Sequence, residues 1–214
     1  YTVGDSWDYV ATQEAIYHCF ATNTTPGGTI VWNAEAGTTY LDRPLYFPQG
    51  RYYINRQLIT VANGFDIYGS GKLVTFLQWY GQAFNAMWYC NAVAYGTFAK
   101  MTLQSKVTTS EALLELDWTG LHAGLKTNNI SLYDMQFDCG SRVAGFARYG
   151  ARISKSGGNA QGDTINLMNT AFVSDNTCDA GLALGFVNAQ NVLGINLFGG
   201  GFIGCSKDGI AITG

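Results

Sequence analysis

The sequence predicts an all-β solenoid of stacked parallel strands preceded by one short helix. Three observations predict it. Apolar residues recur every 29–36 residues, the repeating units carry Asn, Asp or Gly at their corners, and the chain holds few charges. Periods of this size mark stacked-repeat architectures, in which one unit cannot bury its apolar face alone.

The composition supports each element. The chain has 214 residues, enough for one domain with a sizeable core. Apolar residues make up 47% and charged residues 13%, against about a quarter charged in an ordinary domain. Neutral Asn, Thr, Ser and Gln must therefore cover the surface. With 27 Gly and only 3 Pro, turns depend on positive-φ Gly and Asn. A net charge of −3 without a basic stripe excludes nucleic acid as a partner. No apolar run is long enough to span a bilayer. The chain opens on Tyr rather than Met, with neither a basic start nor an apolar stretch, so the expectation is that an upstream segment was removed. The five cysteines, odd in number and without a CxxC, read as buried free thiols. No metal site or cofactor is expected.

Residues 8–21 form the one convincing helical stretch, with Ile16/Phe20 and Ala15/Cys19 at i,i+4. TNTTPGG (22–28) then reads as a loop. The repeat is clearest in the second half. Leu132–Phe137, Leu167–Phe172 and Leu197–Phe202 place Leu and Phe in the same columns, with Asp134, Asn169 and Gly199 between them. Stepping back gives Leu103, then Ile67. After each unit a second strand starts at Gly145, Gly181 or Gly209. Leucine-rich repeats lack this spacing, and a propeller needs four antiparallel strands per unit.

Two stretches carry a family resemblance. Gly4-Asp5-Ser6-Trp7-Asp8 followed by Ala11-Thr12-Gln13-Glu14-Ala15-Ile16 is similar to a GDG-x-x-DDT-x-AI segment leading into a capping helix. Leu45–Ile54, containing Phe47-Pro48-Gln49-Gly50, and Gly64–Gly71 resemble the strand pair that follows. The chain thus resembles the pectate-lyase-like β-helix superfamily, in its phage tailspike and rhamnogalacturonase-like branch. The resemblance implies a right-handed single-stranded parallel β-helix with a short N-terminal capping helix. Residues 1–40 would be the capping segment and 41–214 the β-helix. Ile16, Cys19 and Phe20 would cover the apolar end of the first repeat, whose strand edges are otherwise open. Gly209–Ile212 ends as a core-type strand, so the expectation is that the solenoid continues or another chain covers it.

A fold of this kind hosts hydrolases, lyases and plain binders, so chemistry must be argued from residues. Glycoside hydrolysis needs two carboxyl groups, about 5–9.5 Å apart depending on stereochemistry. Strands about 4.8 Å apart can supply them. If Leu114 and Leu116 point inward, Glu115 and Asp117 point outward. Asp138 follows inward Phe137, and Asp175 lies in the turn Ser174-Asp175-Asn176-Thr177. Glu115, Asp117, Asp138 and Asp175 are therefore the candidate catalytic acids, with solvated surface or turn acids as the plainer reading. Asp134 reads as a corner residue bonding its own backbone. Trp79, Trp88 and Trp118 are candidate sugar-stacking rings, with core packing as the alternative, and Arg148 is the candidate cation. Arg142, Arg148, Arg152 and Lys155 near Asp138 keep a lyase open. The histidines His18 and His122 lie in no GHG pattern, and the NTD, DD and RIK signatures of polygalacturonases are missing.

The resemblance implies a phage-type tailspike or tail-associated protein, trimeric, in the virion or outside the cell. It would bind and hydrolyse a bacterial surface polysaccharide. The rivals are a non-catalytic receptor-binding or structural virion protein and a secreted polysaccharide lyase.

Overall fold

A computed structural model of the protein describes residues 1–23, 30–32, 43–82, 85–91, 93–107, 110–117, 128–143, 145–153, 162–184 and 192–212. It is mostly β, with one helix among the described residues. Trp118, His122 and Lys155 lie outside the described residues.

The strands fall into three sets. The first holds Leu45–Phe47, Asn63–Gly69, Ala94–Ala99 and Asn128–Tyr133. The second holds Gly50–Ile54, Thr75–Trp79, Thr102–Ser105 and Gln136–Asp138. The strands Gly162–Val173 and Val192–Ile203 run through both sets and join them into one ten-stranded sheet. The third set holds Leu58–Thr60, Trp88–Asn91, Ser110–Asp117, Gly145–Ile153, Ala180–Leu184 and Asp208–Ile212. Within each set every strand pairs in parallel with its counterpart in the next repeat. This is consistent with an all-β parallel solenoid. Among the described residues the antiparallel pairs are Ala21–Asn23 with Val31–Trp32 and Gly140–Ser141 with Gly145–Ile153.

The pairing builds continuous apolar columns. Leu45, Ile67, Phe98, Leu132, Leu167 and Leu197 align in the first set. Tyr52, Leu77, Leu103, Phe137, Phe172 and Phe202 align in the second. The three repeats read from the sequence, 132–137, 167–172 and 197–202, are thus in register. The step back to Leu103 is corrected: Leu103 pairs with Phe137, and Phe98 is the counterpart of Leu132. Phe98 to Leu103 repeats the Leu132-to-Phe137 spacing with the two residue types exchanged. Between the first and second sets, Lys100, Asp134, Asn169 and Gly199 all take positive φ, at 57°, 52°, 50° and 69°. Asp134 and Asn169 sit at corners as read, in a conformation that Asn, Asp and Gly tolerate best, but the Asp134 carboxylate accepts from the Asn169 amide at 2.8 Å and pairs with Lys72 at 3.2 Å rather than bonding its own backbone.

The rings of Phe137, Phe172 and Phe202 stack nearly flat, with centroids 4.9 and 5.0 Å apart. Glycines of the third set make room for them. A Cβ on Gly150 would lie 2.6 Å from the Phe172 ring, and one on Gly181 would lie 2.7 Å from both Phe172 and Phe202. Register places Gly150, not Gly145, beside Gly181, because Ala151 pairs with Leu182.

The helix Trp7–Phe20 starts at Ser6, whose Oγ accepts from the Tyr9 N–H at 3.1 Å. Ile16 and Phe20 are fully buried against the first repeat, while Cys19 is half-buried. The helix also satisfies strand edges. The Gln13 amide donates to the Ile59 carbonyl at 3.0 Å and accepts from the Ile59 N–H at 2.9 Å, as a neighbouring strand would. Asp8 accepts from the Tyr53 N–H at 2.7 Å. Gln13→Leu keeps the volume but strands both groups of Ile59. It is expected to cost about 0.5–1.5 kcal/mol per lost hydrogen bond, read as a lower urea midpoint and faster amide exchange at Ile59.

Candidate functional site

Outward residues of the third set form a charged network across successive repeats. Glu115 pairs in register with Tyr89 on one side and Arg152 on the other. The Arg152 guanidinium donates to both Glu111 and Glu115. Asp117 accepts from the Tyr89 hydroxyl at 2.9 Å, and that hydroxyl accepts from the Asn91 amide at 2.9 Å. Arg148 bridges Asp179 at 2.9 Å and Glu111 at 3.4 Å, and Lys207 reaches Asp179 at 2.8 Å. The network grades from sealed to open: Glu115 and Asp117 are 1% exposed, whereas the Arg148 side chain is 42% exposed.

This burial corrects the reading of Glu115 and Asp117 as open acids. They alternate out of phase with inward Leu114 and Leu116, as read, but they are shielded and engaged by Arg152 and Tyr89. Trp79 and Trp88 are corrected as well. Both are 0% exposed and in phase with inward Leu77 and Cys90, so neither offers a face to a sugar. The Trp88 indole donates to Thr60 Oγ1 at 2.9 Å, and its ring packs edge-on against Phe47 and Phe98. Arg148 remains partly open, and its half-buried neighbour Tyr149 lies under its guanidinium at 5.2 Å.

Burial raises the Asp179 pKa, but hydrogen bonds from Lys207 and Arg148 outweigh it and hold the carboxyl below its usual value. A lowered folded value means that its stabilisation is present above the unfolded pKa of about 3.9 and is lost as pH falls through the folded value. Asp179→Asn is expected to flatten the acid limb of a stability–pH curve below about pH 4, measured by urea midpoints.

The other two candidate acids come together. Asp138 and Asp175 line one cavity of about 310 Å³ with Gln104, Lys106, Ser141 and Ser174. It sits where the second set leads into the third. The two acids come from successive repeats: Asp138 pairs with Val173, and the Asp175 N–H donates to the Gly140 carbonyl at 3.2 Å. Asp138 is held in place, with one oxygen accepting from the Gln104 amide and the other from the Gly140 N–H at 3.0 Å. Gln104 is in turn bonded to Gln78, forming a side-chain ladder over three repeats. Asp175 is exposed at the mouth. The cavity is therefore lined by one fixed and one exposed acid, with Lys106 also in its wall.

One feature was missed in the sequence. Tyr46, Tyr68, Ala99, Tyr133, Met168 and Phe198 form an outward column on the first set. Tyr46, Tyr133, Met168 and Phe198 are 41–59% exposed. Asp66, Thr97, Ser131, Asn166 and Asn196 run alongside as a polar column. The repeat alignment already set Tyr133, Met168 and Phe198 in one column, which was the available signal.

The five cysteines are all free, three of them buried. Among the described residues no three His, Cys, Asp or Glu side chains converge as a metal site, and no helix is long and apolar enough to cross a membrane. No protein-family model, curated protein or solved structure matches the chain.

Proposed function

We propose that the chain is a right-handed single-stranded parallel β-helix that binds a carbohydrate polymer on its outer surface and hydrolyses it at the Asp138/Asp175 cavity. Parallel crossover connections are right-handed in about 98% of cases, which supports the hand. The observation that supports the chemistry is that Asp138 and Asp175, from successive repeats, line one open cavity; glycoside hydrolysis works with a pair of carboxyls about 5–9.5 Å apart. The half-exposed Arg148–Asp179–Lys207 edge and the exposed tyrosine column supply polar and aromatic contacts for the rest of a polymer. The bacterial surface polysaccharide, the phage-type tail and the trimer rest on the sequence resemblance.

A second reading, a non-catalytic receptor-binding virion protein, is favoured by one observation: both Asp138 oxygens already accept hydrogen bonds. Reducing-end release from purified capsular polysaccharide separates the two. The hydrolase reading expects release by the native chain and a fall of at least about 100-fold, the scale of general acid–base catalysis, in both Asp138→Asn and Asp175→Asn. Binding without release supports the second reading. An unsaturated product absorbing in the ultraviolet marks a lyase instead.

A further inference from the structure

The N-terminal segment closes a second cavity, of about 400 Å³, over the corner that follows Gly50–Ile54 and Thr75–Trp79. Its lining includes Tyr9, Arg56, Gln57, Trp79, Gln82 and Asn85. The wall is built rather than incidental. Asn55 accepts from the Ser6 N–H at 2.9 Å and donates to the Gly4 carbonyl at 2.7 Å, clipping the N-terminal segment onto the corner. Arg56 pairs with Asp5 and donates to Thr2 Oγ1, so its charge is already compensated. Gln57 uses its amide N–H on the Ala86 carbonyl at 3.0 Å.

Trp79 contributes to the floor. Its indole N–H is buried and has no hydrogen-bond partner. A buried donor left unpaired costs about 1–3 kcal/mol. The ring stays there because position 81 is glycine; a Cβ at Gly81 would lie 2.0 Å from it. The cavity thus offers amides that both donate and accept, the half-buried Tyr9 ring, a neutralised cation and, beneath its floor, an unmet donor. That set suits an uncharged polyhydroxylated ligand and not an anion.

We propose that this cavity binds a single neutral pyranose sugar, held by the Gln57, Gln82 and Asn85 amides, with a ring or hydroxyl oxygen accepting from the Trp79 indole. The ring is 0% exposed, so that oxygen reaches the indole only as the floor yields. The site is separate from the Asp138/Asp175 cavity and does not depend on hydrolysis there.

The test is titration of the full chain, labelled with ¹⁵N at indole nitrogens, with glucose, galactose and N-acetylglucosamine, using glycerol as a control. The Trp79 resonance, assigned by its loss in Trp79→Phe, is expected to shift saturably with at least one sugar and not with glycerol. The double variant Gln82→Ala, Asn85→Ala changes only exposed side chains and is expected to weaken binding at least 10-fold. Asp138→Asn is expected to leave it unchanged, which separates this site from the catalytic reading. Trp79→Phe removes the unmet donor, so it is expected to keep its thermal stability while losing affinity. No shift with any of the three sugars, an equal shift with glycerol, or equal affinity in the double variant would each overturn the proposal.

Discussion

Gly181→Val is expected to be among the most damaging single substitutions in the chain. The position is buried, and an added Cβ would meet Phe172 and Phe202 at 2.7 Å. The Phe172 ring cannot step aside, because it is stacked between Phe137 and Phe202 at 4.9 and 5.0 Å. Overpacking a well-filled core costs about 1–3 kcal/mol, and occasionally more. In a domain of this size that is a fall of roughly 6–12 °C in Tm at the upper end of the range. Phe172→Ala attacks the same contact from the other side, leaving a void that costs about 3–5 kcal/mol. Thermal unfolding of both variants checks the pair. A Gly181→Val protein with native Tm would show that the Phe stack does not face the glycine column.

Arg152→Leu is expected to have an effect of similar size for an electrostatic reason. Arg152 is 3% exposed and donates to Glu111 and Glu115, the second of which is 1% exposed. Removing the guanidinium takes a hydrogen-bonded cation away from the buried Glu115 carboxylate, and breaking such a pair typically costs about 3–5 kcal/mol. Glu115 is then driven to protonate. The variant is therefore expected to recover part of its stability as pH falls from 7 towards 5, while the native chain does not. Adding Glu115→Gln to Arg152→Leu is expected to recover part of the stability at pH 7, because the buried carboxylate that lost Arg152 is neutralised. Urea midpoints at the two pH values check both statements. A pH-independent loss would mean that Arg152 acts through packing alone.

Most of the architecture was legible because two kinds of signal agreed. Leu132, Leu167 and Leu197 share a column, and Asp134 and Asn169 take the positive φ that their residue types tolerate. The signal failed where Leu and Phe were exchanged. Phe98 and Leu103 are both inward, in different strand sets, and spacing alone cannot tell which pairs with Leu132. The Gly145 reading failed similarly: Gly150 lies under the Phe stack, a relation set by packing across the interior. Alternation did carry the direction of Trp79 and Trp88, which share phase with Leu77 and Cys90. Glu115 and Asp117 point outward as alternation demands, but what shields an outward residue depends on distant parts of the chain. Asp138 and Asp175 meet because two turns stack, which no local pattern reports.

The most direct measurement is a crystal structure of the protein soaked with an oligosaccharide cut from its target polymer. The account predicts a sugar lodged between Asp138 and Asp175, with its glycosidic oxygen within hydrogen-bonding reach of one carboxyl. Sugar bound only elsewhere on the surface, with the Asp138/Asp175 cavity untouched, would contradict it.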